Sequence, residues 1–314
     1  MTEEKKDITA AGGASAGGNE TAAGIEATAG LAETILDRIA LYTEGRVKAL
    51  KLAKPFEEIK REAEDIADRE AVDFVFEKAL GQEGISFICE VKKASPSRGV
   101  ISEDFPYIRI AKEYEAAGAA AISVLTEPAF FLGSDSYLSE IKKNSSIPVL
   151  RKDFIIDEYQ IYEARTLGAD AVLLIAALLS EKVLRKFIVI SDRLGMSALV
   201  EIHNGDEAEA AIRSGARVIG INNRDLKTFT TDMATTERLK PLLPKGILCV
   251  SESGISSAAD IERIKKCGAD AVLIGEAFMK SEGIAGTMQR LRGGASGAAA
   301  DEAAMDGEKG EDDD

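Results

Sequence analysis

No apolar run in these 314 residues is longer than the nine of Ala171–Leu179. A membrane-crossing helix needs roughly 20, so the sequence predicts no spanning segment. The N-terminal stretch MTEEKKDITAAGGASAGG lacks the apolar core of a secretory signal, and a cytoplasmic setting is expected. Cysteine is scarce. Cys89, Cys249 and Cys267 lie far apart without metal-ligand spacing, which reads as reduced core thiols and not as a disulfide framework. There is one histidine, His203, and no Ser/Asp elbow accompanies it. A His-based triad is therefore not expected, and His203 reads as a loop residue outside the chemistry. A basic footprint is missing as well. The formal charge is −15, of which residues 1–30 contribute −3 and residues 293–314 contribute −7, leaving −5 for the segment between. That balance argues against nucleic-acid binding and leaves room for a local positive site facing an anionic small molecule.

What is present reads as globular: 45% apolar and 30% charged residues. Residues 1–30 are Ala/Gly-rich and residues 293–314 are Ala/Gly-rich and then acidic, so both are expected to be disordered tails. One domain is expected over 31–292, and the sequence leaves its oligomeric state open, a monomer included. Within it a pattern recurs. Gly118, Gly168, Gly215 and Gly268 each follow a helical stretch and precede a short β-branched run, at spacings of 50, 47 and 53 residues. Such a glycine suits the left-handed position that ends a helix, and such a run suits a strand buried on both faces. Another strand falls between each pair. Eight are expected, at 87–92, 120–126, 148–153, 170–176, 197–202, 218–223, 247–252 and 270–275, with amphipathic helices such as 107–118, 157–168 and 257–268 between them. Regular alternation implies parallel pairing, and eight units are the number that closes a (β/α)8 TIM barrel, an α/β fold. The alternative, an open doubly wound sheet, would normally carry a G-x-G-x-x-G turn after its first strand, and none is present. Two helical segments, 32–51 and about 56–79, form an N-terminal extension expected to pack on one end of the barrel.

In a barrel strand alternate side chains face inward. FICEVKKASPSRG (87–99) sends Phe87, Cys89 and Val91 outward, so Ile88, Glu90 and Lys92 point in. The same alternation sends Lys152, Glu201, Asn222 and Glu252 inward, all near the C-terminal ends where barrel enzymes place catalytic groups. Any one of the six alone reads as a structural ion pair or a rim residue. Six converging at one mouth point to a site, in which three carboxylates and two ammoniums nearly neutralise one another. SESGI (251–255) and LIGEAFM (273–279) follow the last two strands, where barrels often hold a phosphate on backbone N–H groups. Ser253, Gly254, Leu273, Gly275 and Glu276 are the candidates, with Glu276 serving through its backbone because its charge repels an anion; plain turn chemistry is the alternative.

The segments ILDRI, CEVKKASPSRG, LRKDFIIDEYQI, GADAVLLIAALL, LVEIHN, IGINNRDLKTF, SESGI and VLIGEAFM, spread in order over about 35–280, together resemble the indole-3-glycerol phosphate synthase family. The resemblance implies a carboxy-lyase of tryptophan biosynthesis. It would close the ring of 1-(2-carboxyphenylamino)-1-deoxyribulose 5-phosphate with loss of carbon dioxide and water, without metal or organic cofactor. By motif position it implies Lys152 as general acid, Glu201 as its partner, and Lys92 as both an anion contact and an acid in dehydration. Glu90 and Glu252 would orient lysines and hydroxyls, and Asn222, Ser253 and Ser95 would contact substrate. Arg224 would meet the anthranilate carboxylate, Phe130, Phe154, Leu173 and Ile175 would line the aromatic space, and the first helix would cover the mouth. Other phosphate-binding barrels, such as phosphoribosylanthranilate isomerase or the tryptophan synthase α subunit, lack this two-lysine pattern. An inactive scaffold on the same fold is the rival of another class.

Overall fold

The structure is a computed structural model that describes residues 34–293 apart from 71, 97, 102–103, 226–227 and 280–282. The expected tails fall outside the described residues, save Gly293, as does Ser97 of the Ser-Pro-Ser turn. Eight parallel strands close a barrel: β1 (Ser86–Val91), β2 (Ala121–Leu125), β3 (Val149–Lys152), β4 (Ala171–Ile175), β5 (Ser197–Ile202), β6 (Val218–Asn222), β7 (Leu248–Glu252) and β8 (Ala271–Ile274). Each pairs with its neighbours in sequence, and β1 closes on β8 through Ser86↔Ala271 to Cys89↔Ile274. All eight expected strands are there, most of them a residue shorter at one end or both. The four repeat glycines have φ between 79° and 90°, the left-handed value that stops each helix and releases the next strand.

Alternation along the strands divides the core in two. Ile88, Leu150, Leu173, Leu199, Val218, Val250 and Leu273 fill the barrel interior. Phe87, Cys89, Val91, Val172, Val200, Ile219 and Val272 pack outward against the helices. Good caps fix where the helices begin. The helix Glu158–Leu167 starts at a capping box of Asp157 and Gln160, and Ala258–Lys266 at one of Ser257 and Asp260. Cys89 and Cys249 are buried as expected, but Cys267, at the end of that last helix, is only partly buried.

The N-terminal extension departs from expectation. The single helix expected over about 56–79 is two, α2 (Phe56–Arg69) and α3 (Val75–Leu80), broken before Phe74, whose φ is 42°. The break lets Phe76 and Leu80, both fully buried, plug the N-terminal end of the barrel beneath Ile88 and Leu150. The first helix, α1 (Ile35–Ala53), goes to the opposite end, where Ile35, Leu36 and Ile39 wall the mouth. The extension therefore reaches both ends of the barrel, not one, plugging the first and walling the second. Among the described residues no helix is long and apolar enough to cross a membrane.

Candidate active site

A cavity of about 180 Å³ opens at the C-terminal mouth. Glu90, Lys92, Lys152, Glu201, Asn222 and Glu252 all line it, as do Ser95, Phe154, Arg224, Ser253, Gly254, Leu273, Gly275 and Glu276. Every residue singled out from the strand pattern and the two glycine turns is thus brought together. One apolar candidate is not. Phe130 packs edge-on against Tyr42 of α1, with ring centroids 6.0 Å apart, and Phe131 takes the cavity wall instead, 5.8 Å from Phe154. The cause is the turn. The buried Glu127 carboxylate accepts the N–H groups of Ala129, Phe130 and Phe131 at 2.9, 2.7 and 3.0 Å, and the coil this imposes swings Phe131 inward.

Two lysines anchor the polar floor. Lys92 Nζ is 2.5 Å from Glu90 Oε1. Lys152 Nζ is 3.1 Å from Glu201 Oε2 and 3.4 Å from Glu252 Oε2, and the 14% of its side chain that is still exposed borders the cavity. Burial works to strip the Lys152 proton, but Glu201, Glu252 and Glu90 outweigh it and hold the ammonium above the ordinary lysine range. Burial likewise pushes Glu201 up, and Lys152, His203 and Asn222 reverse it, keeping this carboxylate ionised well below its usual range. Glu252 goes the other way. Burial raises it, Lys152 opposes, and the charges of Glu201 and Glu90 add to burial, so its carboxyl is pushed up to about 7. Two carboxylates share one ammonium, and the one with fewer other donors keeps a proton near neutrality. Such a split sorts a pair into a base and a group that can be an acid.

Several residues that set this geometry were not singled out from sequence. Gly220 makes room for Glu252: a Cβ there would stand 2.1 Å from Oε1, an oxygen that is buried and has no hydrogen-bond partner among the described residues. Gly275, expected only in an anion turn, also makes room for Glu90, whose Oε1 is 2.7 Å from where a Cβ would sit. Asn222 Oδ1 accepts the Arg224 N–H at 3.0 Å, which turns the amide nitrogen toward Glu201. Arg98 NH2 and Arg224 NH2 stand 3.0 and 3.8 Å from the two carboxylate oxygens of Glu276, which neutralises a negative side chain in the turn expected to hold an anion. His203 lies just past β5 as expected, yet its ring reaches both Glu201 and Glu207. Its signal was an ionisable side chain two residues beyond an inward carboxylate.

Comparison with known proteins supplies the family. The family model described as indole-3-glycerol phosphate synthase matches residues 36–291. The indole-3-glycerol phosphate synthase of Ruminiclostridium cellulolyticum is 55% identical over 261 residues, covering 83% of this chain and 100% of that protein. That of Endomicrobium trichonymphae is 55% identical over 258 residues, covering 82% and 99%. Among solved structures, 3-hexulose-6-phosphate synthase aligns over 67% of this chain and 99% of its own with a TM-score of 0.52 at 17% identity, a likeness of fold alone. With most of its length and its whole barrel matched, the chain belongs to the indole-3-glycerol phosphate synthase family.

Proposed function

We propose that Lys152 is the general acid of this barrel and Glu201 its partner in the family's reaction. That reaction converts 1-(2-carboxyphenylamino)-1-deoxyribulose 5-phosphate to indole-3-glycerol phosphate, carbon dioxide and water, a carboxy-lyase step of tryptophan biosynthesis. The observation that carries the assignment is one ammonium, Lys152, held between two carboxylates of opposite protonation tendency at the floor of the mouth.

In ring closure the ring carbon that bears the carboxylate attacks the ketone of the ribulose chain. A carbon–carbon bond forms, and the ketone oxygen takes a proton from Lys152, which is charged at neutral pH and has one to give. Glu201, ionised beside it, steadies the cationic ring that results. Loss of carbon dioxide leaves its electron pair with the ring. Lys92 protonates the new hydroxyl, which leaves as water, and Glu201 takes a proton from the neighbouring CH2 carbon and passes it to Lys152, which completes the indole. Glu90 holds Lys92 in place at 2.5 Å. Glu252, whose carboxyl is poised near neutrality, both gives and accepts hydrogen bonds with substrate hydroxyls. Asn222 and Ser95 contact the substrate chain, Arg224 meets the anthranilate carboxylate, and Phe131, Phe154, Leu173 and Ile175 flank the ring.

The substrate's phosphate is assigned to the turns after β7 and β8. Support comes from the left-handed φ of 68° at Ser253 and 82° at Gly254, which bends the backbone sharply at the cavity wall, and from Leu273, Gly275 and Glu276 beside it. Residues 31–292 are the catalytic domain, and the setting is cytoplasmic. The test is an assay of the purified chain with the carboxyphenylamino substrate and no added metal, read by fluorescence of the indole product. Product should accumulate; substrate left unchanged by folded protein sinks the assignment.

A further inference from the structure

We propose that His203 is a positioning residue for this reaction, an imidazolium clamped between Glu207 and Glu201 that fixes the Glu201 carboxylate against Lys152. The inference rests on the role given to Glu201 above.

The clamp is built from a helix end. Asn204 caps the helix Gly205–Arg213, its Oδ1 accepting the Glu207 N–H at 3.0 Å. Glu207 reaches back: Oε1 accepts the Asn204 amide at 2.7 Å, and Oε2 accepts the His203 backbone N–H at 2.7 Å. The carboxylate is thus locked by the helix cap before it meets the ring. Its Oε2 lies 3.1 Å from His203 Nδ1. On the other edge Nε2 is buried, lacks any close hydrogen-bond partner among the described residues, and stands 3.4 Å from Glu201 Oε1. A ring nitrogen facing a carboxylate oxygen is favourable only if it carries a proton. Both nitrogens face one, so the ring is doubly protonated. The charged groups facing it are Glu201 from the strand and Glu207 from the helix. Burial works against the cation, but both carboxylates override it and push the group up to about 10.

The consequence reaches the floor of the site. Glu201 uses Oε2 for Lys152 and Oε1 for His203, so both oxygens face a cation. A carboxylate held at two points cannot rotate away from Lys152.

The sole histidine of the chain allows a direct test on untagged full-length protein, since its imidazole nitrogen-15 signals need no assignment. Both should stay in the imidazolium range through pH 8 and move toward neutral imidazole in Glu201→Gln. A ring that titrates near its ordinary 6.5 overturns the clamp. Kinetics give the second arm. His203→Ala should lower kcat by about 10- to 100-fold with KM nearly unchanged, the size expected of a small misplacement of a catalytic group. His203→Gln, whose amide reaches the Nε2 position, should restore part of the loss, and serves as the test if the alanine variant does not fold. Adding His203→Ala to Glu201→Gln should cost nothing further, because the histidine acts through that carboxylate. Full kcat in a folded His203→Ala or His203→Gln protein refutes the proposal while leaving the function intact. Full kcat in Glu201→Gln refutes the role of Glu201 itself.

Discussion

Arg151 and Lys152 are consecutive in β3 and point to opposite sides of the barrel wall. Arg151 faces outward and is fully buried. Its guanidinium donates to Thr126 Oγ1, Gln160 O, Asp135 and Glu163 at 3.2, 2.9, 2.9 and 2.8 Å. Asp153 beside it accepts from Arg46 of α1 and from Thr126 at 2.7 and 2.8 Å. Lys152 faces the cavity and shares two carboxylates, and Glu252 Oε1 beside it is buried without a hydrogen-bond partner among the described residues. One cluster spends its charges on closing itself. The other keeps its charges around an open cavity. Buried charge is costly in both places, so what separates a structural from a functional cluster is whether its charges face only one another or also face a cavity.

The largest effect comes from breaking the open cluster. Lys152→Ala should cut turnover by roughly 10²–10⁴-fold, the worth of a general acid, in a protein that still folds. Folding survives because Glu252, already pushed up to about 7, takes a proton in place of the lost cation. Near-normal turnover in that variant overturns the acid assignment. Breaking the closed cluster reverses the pattern. Arg151→Met strands Glu163, leaves Asp153 with Arg46 as its one cation, and should cost on the order of 3–5 kcal/mol of stability in a denaturant titration. Turnover per folded molecule should fall far less than in Lys152→Ala. Equal catalytic losses in the two variants would erase the distinction.

Gly220→Ala tests the open cluster more finely. The added methyl must displace the Glu252 carboxylate, so kcat should drop by about 10- to 100-fold with the barrel intact. An unchanged kcat means that Glu252 is not held where the reaction needs it. Glu252 also gives the site a pH signature. Its ordinary value is 4.5 and its folded value about 7, so between these the native state holds a proton that the unfolded chain releases. The contribution of Glu252 to stability therefore falls as pH rises through that window and is level above it. Glu252→Gln removes the slope. Relative to the parent protein it should gain on the order of 1–3 kcal/mol between pH 4.5 and 8. A constant difference across that range contradicts the raised carboxyl.

The sequence made one half of this comparison visible. Strand periodicity of two residues exposed Glu90, Lys152, Glu201 and Glu252 as charges on a face that should be apolar, and the four repeat glycines counted the barrel. The same test applied outward would have flagged Arg151, a charge among Val149 and Val172 on the helix-facing side. The rest depended on distances that no period encodes. His203 meets Glu201 only because the strand has ended and the chain bends into the cap of the next helix. Phe131 displaces Phe130 because of a turn wound on Glu127. The break at Phe74 follows from a plug that no local pattern announces.

The smallest effect sharpens the comparison at the covering helix. Two cations tie α1 to the segment after β3. Arg46 meets Asp153 with 14% and 0% of the side chains exposed, and Lys51 meets Asp157 with 38% and 32% exposed, both at 2.7 Å. Equal distance does not mean equal worth. The first pair joins the closed cluster, where Asp153 has no solvent to fall back on. The second is screened by water and salt. Lys51→Ala should therefore cost less than about 1 kcal/mol, shrinking further at high salt, whereas Arg46→Ala should be destabilising by several times as much. Melting curves of both variants at low and high ionic strength measure this. If the two losses are equal and equally salt-dependent, burial is not what ranks the charges of this barrel.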